Sequence, residues 1–307
     1  MSTLDAVFVF CEGEHDVAFC HLVLKHILRF EHISIPEVCA PSPLGNMLQK
    51  YQLLRAENKP CDAPGFKYYY RREDLGVFVF KTGGKDKVDA VKGFVGKLLG
   101  YLPTGEFANL GLTQKAGEGP SDRIGSARFL FVYDDDEKTF DELEHWWRGH
   151  YSALDKCPAW KIAAERNLVG ANGAIYGDKA LYGWFVDAQT NTLEDLLTSV
   201  FEECTDFPIA KCRQFVTTDS GWSWEPASAK PKDVAAANAR RGKAMLTIAG
   251  QHQRPGCALS VIVQDCLQDG HAKRDDEDRV KRFRENKYAK GFGDFLRRFL
   301  GLTDVGA

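Results

Sequence analysis

AVFVFCEGEHDVAFC, residues 6–20, is the stretch that decides the fold. Its first five residues, Ala6 to Phe10, form a short apolar run closed by a Cys11-Glu12-Gly13 turn, the pattern of a buried strand. From Asp16 to Phe30 the apolar positions Val17, Phe19, Cys20, Val23, Leu24, Ile27 and Leu28 recur at spacings of three and four, which makes one face of an amphipathic helix. The unit is therefore strand, turn, helix, and it recurs along the chain. Leu75 to Lys81 (LGVFVFK) is a second apolar run, followed by Thr82-Gly83-Gly84-Lys85 and a helical pattern from Lys87 to Leu99. Ala127 to Tyr133 (ARFLFVY) is a third; it ends in Asp134, Asp135 and Asp136 and leads to a helix starting near Thr139. Leu181 to Val186 (LYGWFV) is a fourth, with Asp187 and a helix from Thr192 to Phe201 behind it. Strands alternating with helices in this rhythm predict an α/β fold with a mainly parallel central sheet flanked by helices.

Outside these units the patterning changes. Residues 36–74 are rich in proline, charge and tyrosine, carry one helical stretch around Met47 to Glu57, and read as an insertion. The glycine-rich stretch from Gly100 to Gly125 reads as loop. After Asp206 the pattern is mainly helical, with Pro231 to Ile248, Cys257 to Leu267 and Lys290 to Leu300 as helices and a mixed charge run from Gly270 to Arg284. The expected organisation is an α/β domain over residues 1–206 and a helical C-terminal extension over residues 207–307 packed on it.

With 40 Lys plus Arg against 43 Asp plus Glu, the formal charge of -3 provides no global attraction to a polyanion, so nucleic-acid binding requires a local patch. No apolar stretch is long enough for a spanning helix and the N-terminus lacks the pattern of a signal peptide, which predicts a cytoplasmic protein with no membrane partner. Nine cysteines without CxxC or similar spacing fit reduced intracellular thiols rather than a disulfide framework or zinc site.

In open parallel sheets functional groups gather at the carboxyl ends of the strands. Glu12, then Gly83, Gly84 and Lys85, then Asp134 to Asp136, then Asp187 each follow a predicted strand. Carboxylates brought close together repel unless a cation neutralises them, and an all-oxygen ligand set favours Mg2+ or Mn2+. Because Mg2+ keeps open positions for phosphate oxygens, the chemistry implied is that of phosphates. Each residue also has a plainer reading. Glu12 fits a helix entry, the acidic run a solvated cap, the Gly pair a tight turn, Asp187 an N-cap and Glu194 a solvated helix position. The strand-end setting of Glu12, Asp134 and Asp136 favours function, and alternation along an extended chain turns Asp135 elsewhere. Gly83 and Gly84 would offer backbone N–H groups and Lys85 a charge to a phosphate. His15 is a proton shuttle or, more simply, a surface histidine. Tyr68 to Arg72 (YYYRR) suits base stacking or an ordinary packed hairpin.

FVFCEGEHDVAFC resembles the first motif of the Toprim domain of primases, type IA and II topoisomerases, OLD-type nucleases and small maturation ribonucleases, and FLFVYDDDE is similar to the Toprim strand ending in Asp-x-Asp. VFVFKTGGKDKVDAVKGF and GWFVDAQTNTLEDLL narrow the likeness to stand-alone Toprim-like proteins related to the OLD nucleases, over residues 6–200, with a weaker likeness at KAMLTIAGQ. The resemblance implies metal ligation by Glu12, Asp134 and Asp136, catalysis by these with Lys85, and Asp16, Asp187, Glu194 and Asp195 as additional acidic candidates. About 120 residues separate Glu12 from Asp134, more than the roughly 100 of a compact α/β piece, so an insertion lies between the motifs. No Walker A sequence is present, and an energy-driven step would need a separate ATPase partner. The expected function is Mg2+-dependent cleavage of DNA or RNA phosphodiesters. The alternatives are a non-catalytic Toprim-derived nucleic-acid-binding or regulatory subunit that works with a separate ATPase or nuclease, and a small-molecule phosphatase with an Asp-x-Asp nucleophile. The last is disfavoured by Lys138, where such enzymes place Thr or Val.

Overall fold

The computed structural model describes residues 2–33, 64–100, 122–134, 139–152, 154, 160–184, 198, 209–253 and 275–302. At the centre lie β1 (Ser2–Cys11), β4 (Leu75–Lys81), β5 (Asp122–Asp134) and β8 (Lys179–Trp184), within a sheet of order β2-β3-β4-β1-β5-β8-β7-β6. The four central strands are mutually parallel. Both edges are antiparallel: β2 (Glu31–Ile33) with β3 (Gly65–Arg72) on one side, β6 (Asn167–Val169) with β7 (Gly173–Tyr176) on the other. The expected α/β class with a parallel centre is thus present, and the meander edges are additions to it.

A phenylalanine ladder fixes the register of the central strands. Phe8 stacks between Phe78 at 5.3 Å and Phe129 at 5.5 Å, and Phe10 between Phe80 at 5.4 Å and Phe131 at 5.3 Å. These residues are directly paired across the strands. Each aromatic pair contributes about 0.5–1.5 kcal/mol beyond its buried area. Slipping one strand by a residue would exchange this face for the aliphatic one, Val7, Val9, Val77, Val79, Leu130 and Val132, and lose both packings. The ends of β1, β4 and β5 are held level in this way.

The aromatic face is covered by α2 (Val88–Gly100) and α3 (Phe140–Tyr151), through Phe94, Leu98, Leu143, Trp147 and Tyr151. Thr139 caps α3, its hydroxyl accepting from the Glu142 N–H while the Glu142 carboxylate accepts from the Thr139 N–H. On the aliphatic face lies α1 (Glu14–Leu22), continued by a wide turn over Val23–Ile27. The C-terminal helices cover that face too: α4 (Ile209–Gln214), α5 (Pro231–Gln253), α6 (Asp275–Glu285) and α7 (Lys287–Leu300). Phe292 and Phe295 of α7 pack on Tyr182 at 4.6 and 4.9 Å, and Phe19 of α1 packs on Trp184 at 4.8 Å. Residues of α4 to α7 therefore share one core with α1 and the sheet.

Several boundaries differ from those read in the sequence. The last part of the expected insertion is β3, a regular member of the sheet paired with β4. Residues 122–125, placed in a loop, extend β5 backward along β1. The mixed charge run, read as a solvated loop and helix start, does hold the start of a helix, α6, and α6 takes up most of it from Asp275 on. The helices expected at Met47 to Glu57 and Cys257 to Leu267, and most of the one at Thr192 to Phe201, lie outside the described residues. Among the described residues no helix is long and apolar enough to cross a membrane, and the cysteines Cys11, Cys20 and Cys212 are free and buried.

Candidate functional site

Level strand ends bring the chain's charged turns to one edge of the sheet. The Glu12 N–H donates to the Val132 carbonyl at 3.1 Å, continuing the β1–β5 ladder by one step, and the Glu12 carbonyl accepts from the Gly83 N–H at 3.0 Å. The backbone of Glu12 is thus held from both neighbouring strand ends. Since Cys11 pairs with Val132, Glu12 stands beside Tyr133 and one residue short of Asp134. With strands spaced about 4.8 Å and residues about 3.3 Å, the α-carbons of Glu12 and Asp134 lie roughly 6 Å apart.

Lys85 approaches from the other side. Its ammonium is 3.7 Å from Glu12 Oε2, an ion pair longer than a hydrogen bond, and both side chains are largely shielded, at 13% and 17% exposed. The Gly pair makes this approach possible. Gly83 and Gly84 have φ of 92° and 118°, conformations that L side chains rarely adopt, and a Cβ on Gly84 would meet Asp86 Oδ1 at 2.7 Å. The Gly83 N–H, expected to face a phosphate, is spent on the Glu12 carbonyl instead; its part is to fix Glu12.

Asp16 has a structural duty. It is buried, and its Oδ2 accepts from the Gly13 N–H at 2.6 Å, closing the first turn of α1. His15 is half-buried beside it. The YYYRR run is the packed hairpin strand β3, with Tyr69 and Tyr70 buried and Arg72 donating to the Leu28 carbonyl at 3.2 Å. Of Asp134 the backbone is described, at the end of β5; Asp135, Asp136, Asp187, Glu194 and Asp195 lie outside the described residues. Among the described residues no group of three or more His, Cys, Asp or Glu is gathered as a metal site. The donor chemistry nonetheless suits a hard cation: a shielded carboxylate at the end of β1, with its charge met by an ammonium, stands next to the strand end that leads into three aspartates.

Two supports of the site escape sequence reasoning. Tyr133 is fully buried on the aromatic face and shares a 3.0 Å hydrogen bond with the Tyr151 hydroxyl. Burial above all, then Tyr151 and the charge of Glu12, push its phenol well above the ordinary range, so it stays neutral beneath the edge. The second support is Glu14, which holds Lys67 at 2.7 Å and Lys81 at 3.0 Å. Lys81 ends an apolar run that alternation assigns to the α1 face, which was the available signal.

No known protein family's model matches the sequence, and no curated protein matches it. Among solved structures the chain is similar to the crystal structure of a hypothetical protein from Pyrococcus horikoshii OT3. The identity is 14%, the TM-score 0.50, and the match covers 97% of this chain and 100% of the other. That likeness concerns the fold alone and extends over nearly the whole of both chains.

Proposed function

We propose that the chain is a Toprim-like hydrolase that cleaves nucleic-acid phosphodiesters with the help of a divalent cation. The observation that carries this reading is the convergence of Glu12, Lys85 and the start of the acidic run at Asp134 on adjacent, level strand ends. Glu12, Asp134 and Asp136 would hold Mg2+ or Mn2+, which when bound supplies Lewis-acid polarisation of a phosphoryl oxygen and stabilises the leaving oxyanion. Lys85 turns from Glu12 to the substrate and neutralises charge developing on the phosphate. Glu12 either serves as a ligand or takes the proton of the attacking water. Gly83 fixes the Glu12 backbone from below, and Gly84 turns the chain so that Lys85 faces it. DNA or RNA is the substrate class, and a separate ATPase or nuclease is the fitting partner for any energy-driven step.

Incubation with single-stranded, duplex and structured DNA and RNA, in Mg2+, Mn2+ or EDTA, tests this reading. Metal-dependent cleavage that falls roughly 100-fold or more in Asp134→Ala is expected. Tight binding with no cleavage in any metal overturns the hydrolase and selects the binding or regulatory subunit; turnover of a small phosphate ester alone selects the phosphatase.

A further inference from the structure

Glu14, Lys67 and Lys81 form a charged group to which the proposed reaction assigns no part. Both ammonium groups lie on the same oxygen, Glu14 Oε1, at 2.7 and 3.0 Å, and two lysines against one glutamate leave the trio one positive charge in excess. A fold-stabilising role accounts poorly for it, because the three side chains are 30%, 31% and 37% exposed and solvated pairs of this kind contribute little. The backbone, moreover, is adapted to present Lys67. Phe66 pairs with Phe80 and Tyr68 with Val79, which leaves Lys67 as the extra residue of a bulge, a device that re-aims a side chain at a sheet edge.

The trio's place is equally specific. β3 runs against β4, so its first residues return to the edge where β4 ends at Lys81 and β1 ends beside Glu12. Across that edge the order is Lys67 on β3, Lys81 on β4, Glu12 with Lys85 beside it, and Asp134 on β5. At about 4.8 Å per strand the row spans roughly 14 Å. Glu14 is also the first residue of α1, whose N-terminus favours an anion.

We propose that Lys67 and Lys81 form the binding subsite for a phosphate of the nucleic-acid backbone flanking the one cleaved at Glu12, with Glu14 holding both ammonium groups until that phosphate replaces it. This rests on the nucleic-acid reading above. It specifies which strands the polymer crosses: the chain enters over β3 and β4 and reaches the acidic ends of β1 and β5.

The trio makes an opposite-sign prediction. Anisotropy of a labelled single-stranded oligonucleotide, titrated with the full chain in EDTA over a KCl series, should show Lys67→Gln/Lys81→Gln binding roughly 10-fold more weakly, with the slope of log K on log salt reduced by about 0.7, one phosphate contact. Glu14→Gln should bind severalfold more tightly, and Lys67→Arg/Lys81→Arg should bind like wild type. A structural trio predicts otherwise: loss of any member then weakens binding alike, and that result overturns the proposal. So does an unchanged Kd and salt slope in the glutamine double variant while the arginine variant remains folded by circular dichroism. Competition by inorganic phosphate at equal phosphate concentration overturns the polymer subsite in favour of a free-phosphate site. Cleavage in Mg2+ by wild type, measured alongside, separates the two readings: cleavage with unaltered binding by the glutamine variant removes only this inference, whereas wild type that neither binds nor cleaves removes both.

Discussion

At its first turn α1 offers Glu14 to Lys67 and Lys81, an ion-paired group in partly open surroundings; two turns later the same helix presents His21, 5% exposed, to a wholly different environment. His21 Nδ1 shares a hydrogen bond with the Tyr70 hydroxyl, and its ring lies 5.0 Å from Tyr68 and 6.2 Å from His32. Burial first, then the nearby His32, Lys25 and His26, press its pKa down to about 3, so the imidazole is neutral. Burial likewise pushes the Tyr70 phenol up and keeps it protonated. One end of the helix holds charge where the central strands stop, and the other holds polar groups neutral under the β2–β3 edge. His21 and Tyr70 are thus kept neutral by burial at one end, while the ion-paired Glu14, Lys67 and Lys81 stand partly open at the other.

The contrast can be broken most forcefully at His21. Because its folded pKa lies below its unfolded value near 6.5, the unfolded chain binds the extra proton, and stability falls as pH drops from about 6.5 toward 3. This group alone should remove about 2 kcal/mol between pH 7 and pH 5. Urea unfolding across that range should show a flatter acid limb for His21→Gln than for wild type; parallel limbs would mean that His21 is charged or solvated in the folded chain. At the other end the effect should be smaller and later. Partial burial raises the Glu14 carboxyl, but the hydrogen bonds and charges of Lys67 and Lys81 outweigh it and depress it, so its contribution is present above the ordinary carboxylate value and is lost only as pH falls through a lower one. Its exposure keeps the contribution under about 1 kcal/mol. Glu14→Gln should therefore leave urea midpoints nearly unchanged at pH 7, and a large loss there would make the trio a structural element.

What the sequence discloses follows from how local each feature is. The β1, β4 and β5 runs are readable because strands buried on both faces are continuously apolar, and Glu12 and Lys85 are readable because each directly follows one of them. β6 and β7 are too short to stand out as apolar runs, although Gly170 and Gly177, at φ of 67° and 65°, mark the two turns of that meander. β3 hid within a proline-rich and tyrosine-rich stretch because its aromatic residues face both sides of the sheet: Tyr69 joins the aromatic core and Tyr70 the aliphatic one. The site's supports are non-local. Glu14 meets Lys67 and Lys81 across 53 and 67 residues, and the capture of the Gly83 N–H by Glu12 depends on the register of two strands. The expectation that the glycine N–H groups await a phosphate treated the turn as if it stood alone.

Whether Glu12 and the aspartates at and beyond the end of β5 serve one cation is read most directly by a Mn2+ titration followed by the electron paramagnetic resonance of the free ion. Wild type should bind the ion saturably, with binding weakened in Glu12→Gln and in Asp134→Asn alike and preserved in Asp5→Asn, which lies toward the start of β1. Binding that survives Glu12→Gln unaltered while Asp134→Asn abolishes it would contradict a shared site and leave Glu12 as no more than the anchor of the first turn.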